Sequence, residues 1–220
     1  MNLGTTKTQN QRPFHGGMDD ELVPAVLLAA GLSRRLGRPK ALVKVHGSEL
    51  VVWVYNRLIQ AGCFPVVVAN DDTLASINLL LPSAHVVVNP EPDAGRTKSL
   101  QIGIRAVERL LERSPKRVVM APVDRPVWNV ALLRGLLACD GNVAPSYQNR
   151  KGHPVVMDAE AIQAVLGAEP DRPLRDVVAF NPLPLSAPYL HLNIDTEDDL
   201  ATLGSFLAEL KDCFPEGEGI

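Results

Sequence analysis

Basic side chains and glycines crowd the loop that follows the first apolar run of the chain, residues 23–28. The loop carries two glycines and four cations: Gly31, Arg34, Arg35, Gly37, Arg38 and Lys40. A loop at the end of a strand presents backbone N–H groups and fixed cations to phosphates. This composition predicts binding of a nucleoside triphosphate, whose charge the cations would offset. A solvated basic loop is the alternative, because loops rich in Arg and Gly are common.

The spacing within this loop differs from that of two common phosphate-binding motifs. Five residues separate Gly31 from Gly37, and Lys40 follows three positions later. The loop is therefore neither the phosphate loop with adjacent Gly-Lys-Ser/Thr nor the Gly-x-Gly-x-x-Gly of dinucleotide folds. The residue types point to phosphate, but the spacing leaves the kind of site open.

Two aspartates follow apolar runs and are candidate metal ligands. Asp124 comes directly after residues 118–123, and Asp195 comes directly after residues 190–194. Carboxylates suit Mg²⁺, a hard cation that prefers oxygen ligands and bridges to phosphates. Each aspartate also has an ordinary structural interpretation, Asp124 as a turn residue and Asp195 as part of a helix cap. As a pair facing the basic loop, they form a coherent metal site.

Apolar and amphipathic segments alternate along the chain. Strands are predicted at residues 25–29, 65–69, 85–89, 117–122, 142–144, 154–157 and 189–194. Helices are predicted at residues 50–61, 73–80, 98–112, 129–138, 159–166 and 196–211. This alternation predicts an α/β fold, a doubly wound and largely parallel sheet with helices on both faces. Ligands of such sheets bind outside the carboxyl ends of the strands, where the basic loop and both aspartates are expected to meet.

Length and composition predict one globular domain. We expect a disordered N-terminal extension at 1–21, one domain at 22–212 and a frayed tail at 213–220 of the 220 residues. The net charge of −3 argues against a nucleic-acid partner. No apolar run approaches a membrane span, and the N-terminal segment lacks the apolar core of a signal peptide. Three widely spaced cysteines fit structural thiols in a reduced, cytoplasmic protein.

Four ordered motifs together resemble the molybdenum cofactor nucleotidyltransferases, the MobA-like NTP transferase family. The first is the basic loop, which matches at Ala29, Ala30, Gly31, Ser33, Arg35, Gly37, Pro39 and Lys40. The others are the segment at Asp124, the Gly152-His153-Pro154-Val155 segment and the Ile-Asp-Thr segment at Asp195. The similarity runs from about residue 24 to about residue 207, and it implies a Rossmann-like nucleotidyltransferase fold.

The resemblance implies a role for each matching residue. Asp124 and Asp195 would hold Mg²⁺, and Lys40 and Arg35 would neutralise the triphosphate, so Lys40, Arg35 and Asp124 are the implied catalytic residues. The implied nucleotide-binding residues are Leu28, Ala29, Ala30, Gly31, Ser33, Arg35, Gly37 and Lys40, with Gly95 and Ser99 from a second loop. Gly152 and His153 are the implied acceptor-binding residues.

His153 invites assignment as a general base, but a phosphate acceptor makes a base unnecessary. The second pKa of a phosphate monoester is about 6, so such an acceptor is already a dianion near neutrality. We expect His153 to donate a hydrogen bond to the acceptor, with a purely loop-holding role as the alternative.

The chain departs from the family pattern at four positions. Arg96 and Lys98 stand where small residues are usual, Arg125 stands where an uncharged residue is frequent, and Glu197 replaces a usual proline. These departures leave the nucleotide loop intact and put the identity of the acceptor in doubt.

The implied reaction is Mg²⁺-dependent transfer of CMP from CTP to a phosphate acceptor, with release of pyrophosphate. In this family Leu-Ala-Ala-Gly accompanies cytidine enzymes and Leu-Ala-Gly-Gly accompanies guanine enzymes, so Ala30 favours CTP over GTP. The implied acceptor is molybdopterin, and we expect transient contact with a molybdoenzyme. Two alternatives remain: a cytidylyltransferase for a sugar or alcohol phosphate, and a non-catalytic protein that delivers a nucleotide cofactor.

Overall fold

The computed structural model describes residues 22–215. Its strands are β1 (Val23–Leu28), β2 (Lys44–Val45), β3 (Ser48–Glu49), β4 (Cys63–Ala69), β5 (His85–Val88), β6 (Arg117–Pro122), β7 (Val143–Tyr147), β8 (Arg150–Lys151), β9 (Val155–Asp158) and β10 (Asn181–Pro184). Its helices are α1 (Leu50–Gln60), α2 (Asp71–Leu80), α3 (Arg96–Leu111), α4 (Val130–Leu137), α5 (Ala159–Gly167) and α6 (Glu197–Ser205). The predicted disordered extension at 1–21 lies outside the described residues.

The main sheet has the strand order β10-β7-β9-β6-β1-β4-β5, and β8 pairs with β7. Its strands are parallel except β9, which runs antiparallel to β6 and β7, and β8, which is antiparallel to β7. At the carboxyl end of the centre, Leu28 of β1 is level with Val68 of β4 and Pro122 of β6. The predicted α/β fold with a largely parallel sheet is confirmed.

Helices cover both faces of the sheet. Alternate side chains of the central strand β1 point to opposite faces, so this strand contributes to two cores. Ala25 and Leu27 of β1 belong to the core beneath α1, α2 and α4. Val26 and Leu28 belong to the opposite core, beneath α3 and α5. Strands buried on both faces read as continuous apolar runs, which is why the sequence revealed them.

Helix α3 lies unusually close to the sheet at Gly103. A Cβ atom added there would lie 2.3 Å from Cγ1 of Val26, so a larger residue would push the helix away from β1. This contact holds the middle of α3 against the sheet, and the helix begins at the carboxyl edge with Arg96.

The predicted strand at 189–194 is wrong. Leu190 N–H donates to the Ala187 carbonyl and Leu192 N–H donates to the Tyr189 carbonyl, so the segment turns instead of extending. Its apolar residues pack against the core although the segment is not in the sheet, so its sequence has the apolar pattern of a strand. The last strand is instead β10, an edge strand whose Pro182 and Pro184 concealed it in the sequence.

The first residues of the tail predicted for 213–220 pack against the domain. Phe214 is fully buried, and its ring lies edge-on to Trp53 at 5.8 Å. Cys213 is buried as well. Residues 216–220 lie outside the described part of the chain. The predicted helix at 196–211 is shorter, since α6 ends at Ser205 and a 3₁₀ turn follows at Leu207–Glu209.

In residues 22–215, no helix is both long and apolar enough to cross a membrane.

Candidate functional site

The loop after β1 is held in shape by Ser33. This residue has a positive φ of 52°, and its carbonyl accepts from Leu36 N–H at 3.0 Å and from Gly37 N–H at 3.1 Å. Its hydroxyl accepts from Lys40 N–H at 2.9 Å and donates to the Gly31 carbonyl at 3.3 Å. The side chain of Ser33 therefore folds the loop and thereby sets the direction of Lys40.

The two glycines of this loop have different roles. Gly37 has a φ of +71°, a conformation that other residues adopt at a cost. Gly31 does not have a positive φ, and a Cβ atom there would meet no atom within 4 Å. Gly31 borders open space on the ligand side, so its missing side chain leaves room for a bound molecule.

A cavity of about 150 Å³, here called the inner cavity, opens at the carboxyl ends of β1 and β6. Seven of the sequence-predicted nucleotide-binding residues line it: Leu28, Ala29, Ala30, Gly31, Lys40, Gly95 and Ser99. Asp124 lines the same cavity. The fold therefore brings together two predicted loops that are more than fifty residues apart in the chain.

The second loop is shaped by Gly95 and Asn89. Gly95 has a φ of +106°, and a Cβ atom there would lie 3.2 Å from Cα of Asp171. Ser99 Oγ accepts from Nδ2 of Asn89, which is fully buried, at 2.9 Å. Sequence reasoning missed Asn89, although a polar residue at the end of an apolar strand was a visible signal.

The space between the basic loop and the two aspartates forms an outer cavity of about 490 Å³. Ser33, Arg34, Arg35, Lys40, Asp124 and Asp195 are among the residues that line it. Gly37 lies on neither cavity and borders a shallow depression beside Asn70 and Asp72.

Every cation of the first loop has an acidic partner. Arg34 pairs with Asp93 at 2.6 Å, Arg35 pairs with Asp195 at 2.5 Å, and Arg38 makes a two-pronged pair with Glu197 at 3.0 and 3.1 Å. Glu197, one of the departures from the family pattern, thus ties the loop to α6. Lys98, another departure, pairs with Glu91 at 3.2 Å. Arg38 and Lys98 consequently point away from the two cavities.

Lys40 lies between the two candidate metal ligands. Its Nζ contacts Oδ1 of Asp195 directly and is 4.0 Å from Oδ2 of Asp124. The lysine side chain is 14% exposed and each carboxylate is 16% exposed, so the three charges are shielded from solvent. Partial burial raises the pKa of Asp195, but its contacts with Lys40 and Arg35 outweigh that and hold its pKa below the usual range.

A single backbone hydrogen bond brings the two aspartates together. Ile194 N–H donates to the Asp124 carbonyl at 2.9 Å, which joins the coil before α6 to the turn after β6. Asp195 is not the helix cap. Thr196 caps α6 in a reciprocal box with Asp199, whose carboxylate accepts from the N–H of Thr196. The carboxylate of Asp195 therefore remains available to Lys40 and Arg35.

The oxygen atoms at this point fit a hard divalent cation. Asp124 Oδ1 and Asn193 Oδ1 are both buried and have no hydrogen-bond partner. Within residues 22–215, no group of three or more His, Cys, Asp or Glu side chains is placed to hold a metal. Two carboxylates and an amide oxygen suit Mg²⁺, which is typically held by one or two carboxylates together with substrate phosphates. Sequence reasoning missed Asn193, two residues before Asp195.

A third cavity, here called the basic cavity, measures about 630 Å³ and lies beside the outer cavity. Five basic residues line it: Arg96, Arg125, Lys151, Arg172 and Arg175. Gly152 and His153, the two implied acceptor-binding residues, line it as well. A Cβ atom on Gly152 would lie 2.6 Å from Cγ of Leu190, so packing against Leu190 requires the glycine.

His153 is held neutral at this cavity. Burial, and then the charges of Arg96 and Arg125, lower the pKa of His153 to about 3. Its Nδ1 is buried without a hydrogen-bond partner. A neutral, unpartnered ring nitrogen fits a group that hydrogen-bonds a ligand better than one that accepts a proton near neutral pH.

Comparison with known families gives a match over most of the described chain. The profile described as "MobA-like NTP transferase domain" matches residues 25–186. A molybdenum cofactor guanylyltransferase of Rhizobium meliloti (strain 1021) is 28% identical over 214 residues, 87% of this chain and 95% of the relative. The nicotine blue oxidoreductase of Paenarthrobacter nicotinovorans is 32% identical over 164 residues, 68% of this chain and 78% of the relative.

Solved structures support the same fold. Rv0371c from Mycobacterium tuberculosis H37Rv superposes with a TM-score of 0.70 at 21% identity, covering 83% of this chain and 97% of that one. A second structure of Rv0371c, in complex with manganese, has a TM-score of 0.64 at 19% identity, with the same coverage. A nucleotidyl transferase from Methanothermobacter has a TM-score of 0.68 at 22% identity, covering 86% of this chain and 99% of that one.

Proposed function

Because the chain belongs to the MobA-like NTP transferase family and is a nucleotidyltransferase, we propose that it transfers CMP from CTP to molybdopterin and releases pyrophosphate. The observation that carries this proposal is the meeting of Lys40, Asp124 and Asp195 at the mouth of the inner cavity. A cation cluster beside two carboxylates at the carboxyl edge of the sheet suits a triphosphate and its metal.

The nucleotide occupies the inner and outer cavities in this proposal. Its base lies against residues 28–31, and Gly95 and Ser99 close the opposite side. Its triphosphate extends into the outer cavity, where Arg35 and Lys40 neutralise the phosphates. Ser33 and Gly37 contribute by shaping the loop.

Catalysis rests on positioning and on charge. The acceptor phosphate is a dianion near neutral pH, so its oxygen attacks the α-phosphorus without a general base. The two reactants are held in adjacent cavities, which replaces a bimolecular encounter by a fixed approach. Lys40 and Arg35 stabilise the negative charge that gathers on the departing pyrophosphate.

Asp124 and Asp195, together with the amide oxygen of Asn193, would hold the metal. When bound there, Mg²⁺ supplies positive charge to the phosphates and orients them for in-line displacement. Lys40, which lies between the carboxylates, is then free to turn toward the triphosphate.

CTP is proposed over GTP on the basis of Ala30, which lines the inner cavity. The relative from Rhizobium meliloti is named as a guanylyltransferase, so GTP is the alternative nucleotide. Ala30→Gly is expected to shift the preference toward GTP, measured as the ratio of kcat/KM for the two nucleotides. An unchanged ratio would remove the basis for CTP.

The test is pyrophosphate release with Mg²⁺, each of the four nucleoside triphosphates, and molybdopterin supplied or withheld. Release with CTP only in the presence of molybdopterin is the expected result. Release that requires a sugar or alcohol phosphate instead of molybdopterin would identify that phosphate as the acceptor. Nucleotide binding without release under any condition would favour a delivery protein.

Two variants tie the reaction to the carboxylates. Asp124→Asn and Asp195→Asn are each expected to lower kcat at least about a hundredfold, since each removes a charge that holds the metal. Asp176→Asn, at an aspartate whose side chain is 50% exposed, is the matched control and should retain activity. Activity within a few-fold of wild type in both site variants would refute the metal assignment.

A further inference from the structure

Two arginines connect the basic cavity to the outer cavity. The two cavities share two lining residues, Arg96 and Arg125, and no others among the residues described. Arg96 is the first residue of α3, and Arg125 follows Asp124 in the turn after β6. A molecule in the basic cavity therefore meets a molecule in the outer cavity between these two guanidinium groups.

Neither arginine is fully engaged by the protein. Arg96 Nη2 reaches Asp124 Oδ2 at 3.4 Å, and its side chain is 48% exposed. Arg125 Nη1 reaches the His191 carbonyl at 3.4 Å, and its Nε is buried without a hydrogen-bond partner. Both guanidinium groups therefore retain donors for a ligand.

The residues around Arg96 and Arg125 favour a negatively charged ligand. Asp171 is the one acidic residue that lines the basic cavity in the described chain, against five basic ones. No carboxylate in residues 22–215 is within ion-pair distance of Arg125, Lys151 or Arg172. His153 lies near both arginines, and its unpartnered Nδ1 adds one more polar group.

We propose that Arg96 and Arg125 bind the reacting phosphate of the acceptor and restrict the acceptor to phosphate monoesters. Guanidinium groups bind phosphate oxygens through paired, charge-assisted hydrogen bonds, whereas an alcohol would leave both charges uncompensated. An alcohol would also need a proton acceptor. His153, with its pKa lowered to about 3, is a poor one.

This assignment rests on the proposed nucleotidyl transfer and adds the residues that bind the phosphate of its acceptor. An oxygen of the acceptor phosphate forms a bond to the α-phosphorus, and the bond from that phosphorus to the bridging oxygen breaks. Pyrophosphate leaves with the electron pair, and no proton is transferred. The arginines hold the attacking oxygen beside the α-phosphorus, so they touch the substrate directly.

The first arm of the test measures binding, so it is independent of turnover. Methyl phosphate is titrated calorimetrically into the wild-type protein, alone and with Mg²⁺ and a non-hydrolysable CTP analogue. Arg96→Gln and Arg125→Gln are each expected to weaken binding at least about tenfold. Arg105→Gln is the matched control, because it lies on α3, pairs with Glu108 and lines none of the three cavities. Thermal melting shows whether each variant is folded.

The second arm measures pyrophosphate release with molybdopterin. Arg125→Gln should raise KM for the acceptor while changing KM for the nucleotide less than about threefold, and Arg125→Lys should restore part of the loss. Arg96→Gln should raise KM for the acceptor and for the nucleotide, because Arg96 also lines the inner cavity. Methyl phosphate that fails to bind, or binds equally well to the variants, would overturn the assignment. Methyl phosphate that binds through the arginines, with no release from molybdopterin, would reject the proposed acceptor and leave the assignment standing.

Discussion

At the scale of single residues, Lys40 lies where the proposed metal site and the proposed triphosphate site meet. Its ammonium group neutralises the two carboxylates in the ligand-free protein, with Nζ in contact with Asp195 and 4.0 Å from Asp124. Asp124 and Asp195 would hold a metal only once this ammonium group has moved away. A bound triphosphate would give Lys40 another anionic partner, so the nucleotide should promote metal binding.

Lys40→Met is accordingly expected to bind Mn²⁺ more tightly than the wild type in the absence of nucleotide, by about 1 kcal/mol or roughly fivefold. Electron paramagnetic resonance of free Mn²⁺ measures this. The same variant should bind CTP less tightly. Lys44→Met, at an exposed lysine that pairs with Glu49, is the control. Unchanged Mn²⁺ affinity would show that Lys40 does not compete with the metal.

His153 predicts a specific dependence of stability on pH. Its folded-state pKa is about 3, below the unfolded value near 6.5. Between these values the unfolded chain binds a proton that the folded chain does not, so stability decreases as pH falls below 6.5. The slope reaches about 1 kcal/mol per pH unit.

Urea unfolding of His153→Gln at pH 7 and pH 5 tests this prediction. The variant should lose about 1 to 2 kcal/mol less stability than the wild type over that interval. His85→Gln, at an exposed histidine that begins β5, should behave like the wild type. Identical losses in wild type and His153→Gln would mean that the histidine is protonated in the folded state.

At the scale of elements, the start of α3 joins the inner cavity to the basic cavity. Lys98 N–H donates to the Pro170 carbonyl at 3.0 Å, and Thr97 Oγ1 donates to the Arg172 carbonyl at 2.5 Å. A Cβ atom added to Gly95 would lie 3.2 Å from the Pro170 carbonyl oxygen, so the glycine packs closely against the same segment. The loop that carries Arg172 and Arg175 therefore rests on the loop that borders the inner cavity.

Gly95→Ala should disturb both cavities together. The added methyl meets backbone atoms at 3.2 Å and the φ of +106° is strained for alanine, which together should cost about 1 to 3 kcal/mol of stability. KM should rise for nucleotide and acceptor alike. Gly167→Ala, where a Cβ atom meets nothing within 4 Å, is the control. A variant as stable and active as the control would show that the two loops move independently.

At the scale of the whole molecule, a buried arginine ties the C-terminal segment to the turn that carries Asp124. Arg57 of α1 donates to the carbonyls of Pro126, at 2.6 Å, and Trp128. Its guanidinium carbon lies 5.3 Å from the centre of the Phe214 ring. Burial lowers the pKa of Arg57 to about 10, which leaves it charged at neutral pH. Phe214 thus shields the group that braces residues 126–128.

Phe214→Ala is expected to lower the free energy of unfolding by about 3 to 5 kcal/mol, because it empties a fully buried site. It should also reduce kcat, because Arg57 would then hold residues 126–128, which follow Asp124, less firmly. Leu79→Ala, at a leucine that is 83% exposed, should change neither quantity. Urea unfolding and pyrophosphate release provide the two measurements. A Phe214→Ala variant that is as stable as the wild type would indicate that the tail does not pack against the domain.

The sequence by itself determined the fold class, the family and most of the residues that surround the inner cavity. Strands buried on both faces appear as apolar runs, and the loop after β1 takes its shape from nearby residues such as Ser33 and Gly37. Local features of this kind can be predicted from the sequence, because the residues that produce them are close together in the chain. The strand predicted at residues 189–194 is wrong because a buried turn has the same apolar sequence pattern as a buried strand.

Only the tertiary structure decided which charges meet. Lys40 lies 155 positions from Asp195 and Arg96 lies 28 positions from Asp124, and nothing in the spacing fixes these pairs. All four cations of the first loop pair with distant acids, and the tertiary structure also decided which of them line the outer cavity. Arg34, Arg35 and Lys40 line it, and Arg38 does not. The partner of each long, flexible charged side chain depends on how distant strands are aligned in the sheet, which is a property of the folded chain.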